Sequence, residues 1–143
     1  MAIQASPGPA PGFLRKPDHR IELRPVGRRV VGSAGGLTVV DSEKALVLLE
    51  AGLPPVWYFP CAETRLDRLT PMEIVTHCPF KGDASYWSLT TPVGTRADAA
   101  WSYETHFDEM AAIAGRLAFY WDALDHWSED GVTRRDSPSL PKA

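Results

Sequence analysis

Cys61 and Cys78 are the only thiols in the 143-residue chain. Two are too few for a disulfide scaffold or for a structural zinc site of four thiolates, and in an oxidising compartment they allow one bridge at most. Net charge is nearly absent too. The 15 Lys and Arg set against 18 Asp and Glu leave −3, so the chain as a whole offers nucleic acid no basic surface. No apolar stretch approaches the roughly 18 residues needed to span a membrane as a helix. Residues 1–12 lack a basic region followed by an apolar run, the pattern of a secretory leader. The expectation is a cytoplasmic protein with reduced thiols and with neither a membrane nor a nucleic-acid partner. No Gly-x-Ser-x-Gly elbow, Walker loop, Cys-x-x-Cys pair or His pair at i, i+4 is present. No metal and no cofactor are therefore expected.

The length gives room for one core and hardly for two. Residues 1–17 are rich in Pro, Gly and Ala and read as a flexible tail, residues 18–130 as a single β-rich domain, and residues 131–143 as a second flexible tail. Arg20-Ile21-Glu22-Leu23-Arg24 alternates strictly and puts Ile21 and Leu23 on one face of a strand. Gly35-Gly36 supplies the positive φ values of a tight turn between residues 28–33 and 37–40, which predicts a hairpin. Strands follow at 45–49 and 56–59, the second ended by Pro60. Residues 61–72 read as a loop. Residues 84–90 alternate as a strand with Tyr86 on one face and Trp87 on the other, and 99–103 answer it. Asp108 and Glu109 suit the N-terminal end of a short helix stopped at Gly115. Residues 117–121 are read as a last strand, with helix as the alternative. The fold class is mainly β: a compact antiparallel barrel or two-sheet sandwich with one short helix near the C-terminus.

Reactive groups concentrate in one stretch, Thr76-His77-Cys78-Pro79-Phe80-Lys81-Gly82-Asp83-Ala84-Ser85-Tyr86-Trp87-Ser88. Cys78 reads either as a buried structural thiol or as a nucleophile, with His77 and Lys81 as nearby cations able to lower its pKa. In an extended segment, however, His77 and Cys78 point to opposite faces. The aromatic residues are the second concentration. Tyr58, Tyr86, Trp87, Trp101 and Tyr103 fall on expected strands, where they serve either as plain core or as the wall of a small-molecule site.

The stretch at 76–87, together with Ala100-Trp101-Ser102-Tyr103, Phe119-Tyr120-Trp121 and Val56-Trp57-Tyr58-Phe59-Pro60, resembles the bacterial and fungal proteins grouped as domain of unknown function family 427. The resemblance spans about residues 19 to 130. It implies a small β-rich domain similar to the folds described as a β-tent or open barrel, and it carries a nucleotidyltransferase-like label but no defined reaction. Relatives with tent folds bind zinc through paired Cys-x-x-Cys motifs, which this chain lacks. Phe80 stands where relatives have another aromatic.

Together these readings lead to a small-molecule-binding domain. Cys78, Lys81 and His77 are the candidate catalytic residues, and Tyr86, Trp87, Trp101, Tyr103 and Tyr58 the candidate ligand-binding ones. The alternative is a non-catalytic ligand-binding or protein-interaction module using the same aromatic face, with room for a homodimer.

Overall fold

The computed structural model describes residues 5–140. Its strands form three antiparallel sheets that close no barrel among the described residues. In the first, β1 (Ile21–Pro25), β4 (Leu46–Glu50) and β5 (Val56–Tyr58) lie in the order β1-β4-β5. The second holds β2 (Val30–Ala34), β3 (Leu37–Ser42), β10 (His126–Glu129) and β11 (Val132–Arg134) in the order β11-β10-β2-β3. The third runs β6 (Leu69–Cys78), β7 (Gly82–Thr91), β8 (Gly94–His106) and β9 (Ala118–Phe119) in chain order. The β2–β3 turn is made by Gly35 and Gly36, at φ 57° and 80°, values an L side chain seldom tolerates. Just past β5, Phe59 and Leu117 exchange backbone hydrogen bonds of 2.8 and 2.9 Å, which joins the first sheet to the third.

The core has two parts because successive strand residues face opposite ways. From β4 and β5, Val47 and Trp57 (with Phe59 beyond) enter a large cluster that also holds Leu89, Ala100, Leu117 and Trp127. Their neighbours Leu48 and Tyr58 enter a smaller one with Ala84, Tyr103, Met110 and Ile113. The β4–β5 pair thus stands between the two, and its second face looks onto the tyrosines of the third sheet.

Several expectations need correction. The one α-helix among the described residues is a single turn near the N-terminus, α1 (Gly12–Arg15), not near the C-terminus. Asp108–Ile113 is a 3₁₀ segment broken at Met110 (φ −107°, ψ 17°). Six residues are too few to nucleate an α-helix without strong caps, and Phe107 at its start donates no side-chain cap. The segment expected as a loop contains two 3₁₀ turns, Cys61–Glu63 and Leu66–Arg68, and then the start of β6. Of residues 117–121, only Ala118–Phe119 is strand. A domain boundary at 130 divides a hairpin, since Val132–Arg134 pairs with β10. The ends of both expected tails, residues 1–4 and 141–143, lie outside the described residues.

Residues 5–17 lie against the body of the fold. Ala10 N donates to Glu109 Oε1 at 2.9 Å, Asp108 N to Gly8 O at 3.0 Å, and Gly12 N to Pro79 O at 2.9 Å. Gly12 is pressed so closely on the β6–β7 turn that a Cβ there would lie 2.7 Å from the Phe80 ring and 2.8 Å from Pro79 O. Gly12→Ala should therefore cost about 1–3 kcal/mol by overpacking, read as a lower urea midpoint. An unchanged midpoint would mean that this segment does not hold the turn in solution.

Candidate functional site

The site forms where the end of β4 meets the β6–β7 turn. Residues 46, 48 and 50 share a face of β4, so Glu50 ends the strand on the side where Leu48 is buried. Lys81 comes from the turn and donates from Nζ to Glu50 Oε1 at 2.5 Å. His19 Nε2 lies 2.9 Å from Glu50 Oε2, and its ring stacks on Phe80 with centroids 4.1 Å apart. The three side chains are only 7% (Glu50), 12% (Lys81) and 20% (His19) exposed. Burial pushes the Glu50 carboxyl up, but the hydrogen bonds and charge of Lys81 and His19 outweigh it and hold the group below the usual carboxylate range.

Beside this pair lies a cavity of about 200 Å³ lined by Glu50, Lys81, Tyr58, Tyr86, Trp101, Tyr103 and Tyr120, with aliphatic residues between them. Register explains the grouping. Tyr86 pairs with Trp101 across β7 and β8, and Ala84 with Tyr103, so these side chains share one face of the sheet. Trp101 Nε1 donates to Tyr58 Oη at 3.1 Å, and the Trp101 ring lies 4.7 Å from that of Tyr120. Tyr86 Oη is 2.6 Å from Thr76 Oγ1. Burial drives the phenols of Tyr58 and Tyr103 far above their ordinary range, so both remain neutral donors at any physiological pH.

The other expected site residues are placed differently. Cys78 is half-buried and packs on the cluster of Tyr58 and Tyr103. His77 is across the strand from it, 60% exposed, with Nδ1 2.7 Å from Asp83 Oδ1. Lys81 is held by Glu50. The structure thus brings Lys81, Tyr58, Tyr86, Trp101 and Tyr103 to one cavity with Cys78 behind its wall, and leaves His77 outside. Trp87 is also on the far face, where it packs on the large cluster and donates from Nε1 to Ser102 Oγ at 3.1 Å. Cys61 and Cys78 are free thiols. Cys61 donates to Gly115 O at 2.9 Å, and burial pushes its pKa up.

A second cavity, of about 190 Å³, shares Pro54, Val56, Trp101 and Tyr120 with the first, and its wall also includes Trp57, Trp121 and Trp127 together with Asp136 and Ser137. It lacks a buried ion pair. Among the described residues no three His, Cys, Asp or Glu are grouped so as to hold a metal ion. Nor is any helix among them long and apolar enough to cross a membrane.

The family model NTP_transf_9, described as a domain of unknown function (DUF427), matches residues 22–130, which is most of the chain. The chain belongs to that family. No curated protein matches it. Within this family member the matched span contains Glu50, Lys81 and every aromatic wall residue of the cavity, whereas His19 precedes it.

Glu50, His19 and Tyr120 were not among the candidate site residues, although Tyr120 stood in the aromatic run at 119–121 that carried the family resemblance. Glu50 carried a usable signal: a carboxylate two residues beyond a buried Leu in a strand falls on the buried face. His19 carried none, because its partner is 31 residues away.

Proposed function

We propose that this domain binds a small molecule in the tyrosine-lined cavity. The observation that carries the reading is a Lys81–Glu50 pair, removed from solvent, in the wall of a ring-lined space of about 200 Å³. Small-molecule sites combine apolar and aromatic walls with a few fixed polar groups in this way. Binding is favoured over catalysis. A cysteine nucleophile needs a cation or base beside its sulfur, but His77 faces the opposite side of β6 and Lys81 is engaged by Glu50.

The test is a screen of ring-sized fragments read by the ¹⁵N resonances of the indole N–H groups. Trp101 lines both cavities, Trp121 and Trp127 only the second, and Trp87 faces the large cluster, so true ligands should move Trp101 and leave the other three in place. Tyr103→Trp, which fills the space with a larger ring, should abolish those shifts. If fragments move no indole, or move Trp87 as much as Trp101, the cavity is not a ligand site.

A further inference from the structure

Hydrogen-bonding capacity in the tyrosine-lined cavity is strongly one-sided. Glu50 is the one carboxylate in its wall among the described residues, and both of its oxygens are engaged, one by Lys81 and one by His19. Lys81, Tyr58 and Tyr103 have protons to give, whereas the Tyr86 hydroxyl is already bonded to Thr76 Oγ1. An ammonium has three N–H bonds, and Glu50 takes one from Lys81. Tyr58 accepts from Trp101 Nε1, which leaves its own hydroxyl proton unused. Tyr103 Oη has no hydrogen-bond partner among the described residues. Charge does not oppose this, because Lys81 cancels Glu50. Aromatic faces attract cations, but a cation here would meet the Lys81 ammonium, and no lining residue offers a free carboxylate; Asp98, whose charge is felt by Tyr120, is exposed and not part of the lining. Size is limiting as well: an apolar cavity of about 150 Å³ accepts benzene, so about 200 Å³ holds one ring and a small substituent.

We propose that the ligand is a small carboxylate on a flat apolar body of one ring, its oxygens taking protons from Lys81 and Tyr103 and its ring lying along Trp101. This rests on the small-molecule reading above and adds the chemical class.

Benzoate, benzyl alcohol and benzylamine share the ring and differ only in the polar head. Each is titrated into the full chain at neutral pH and low salt, with the Trp101 indole resonance as the readout. Benzoate should bind about tenfold or more tighter than benzyl alcohol, since a charge-assisted bond to an ammonium far exceeds a neutral one, and benzylamine should bind weakest. Glu50→Gln with Lys81→Met removes both charges together, so no lone charge is buried; it should bring benzoate down to the level of benzyl alcohol. Tyr103→Phe keeps the ring and should weaken benzoate severalfold. Benzylamine binding as tightly as benzoate, or benzoate indifferent to both variants, would overturn the proposal. If the alcohol or amine moves Trp101 and benzoate does not, the small-molecule reading stands and the anion is wrong. If none of the three moves it, both fall.

Discussion

Gly82→Ala should leave little folded protein. Gly82 is the first residue of β7, buried between Cys78 of β6 and His106 of β8, and its φ is 130°. An L side chain at that φ is strained by about 1–3 kcal/mol before any contact is counted. A Cβ there would also run into the carbonyl oxygen of Thr105, with the Cα of His106 only 2.9 Å away. Both are backbone atoms of the longest strand, so neither can swing aside as a flexible side chain would. The strain and the collision together should cost more than about 4 kcal/mol, a large share of the roughly 5–15 kcal/mol that holds a domain folded. The readout is the urea midpoint, with the dispersion of the amide spectrum as a check on what remains folded. A midpoint within error of the parent would show that the third sheet does not pack as described.

Lys81→Met should cost about 2–4 kcal/mol, because it leaves the Glu50 carboxylate out of water with only His19 beside it. Losing one partner of a fully buried pair costs about 3–5 kcal/mol, and the remaining exposure of Lys81 and the contact with His19 reduce that. Adding Glu50→Gln should restore most of the loss, since the second change removes the stranded charge, and the double-mutant cycle isolates the coupling. Acid titration gives an independent reading of the same pair. The folded-state pKa of Glu50 is below its ordinary value of 4.5, so the unfolded chain binds its proton first. Its stabilisation is complete above pH 4.5 and drains away as pH falls through the folded value. Glu50→Gln should therefore flatten the acid limb of the stability profile. An unaltered limb, or a double variant no better than Lys81→Met, would mean that the pair does not form.

Local chemistry made much of this legible in the sequence. Gly35-Gly36 could hardly be anything but a turn, and the alternation around Ile21 and Leu23 marked β1. The same two-residue period set His77 against Cys78 and Tyr86 against Trp87, whereas the five cavity residues named in advance came from the concentration of reactive and aromatic groups, which brought in His77 and Trp87 from the far faces as well. β6 left no such trace. Seven of its ten residues are exposed, so Thr70-Pro71-Met72-Glu73-Ile74 shows no alternation to detect. β10 was hidden because its order comes from pairing with β2, about a hundred residues earlier, and β11 because it is added onto β10. The pairing within the polar half of the site was hidden for the same reason: Lys81 stood out on its own, but Glu50, Lys81 and His19 meet only through tertiary packing.

Because β6 pairs, among the described residues, with β7 alone, one side of it is an edge of amides and carbonyls, the template on which one molecule can recruit another into a growing fibre. Ile74 and Val75 on this strand are well exposed and would favour such stacking. Three features blunt it. Pro71 has no amide hydrogen to offer, the register slips between Pro71 and Val75, and Glu73 places a charge that would face its own kind in any symmetric pairing. The irregularity that hid this strand from the sequence also makes it a poor seed, and a more regular, more β-prone version would be easier to recognise and harder to keep in solution.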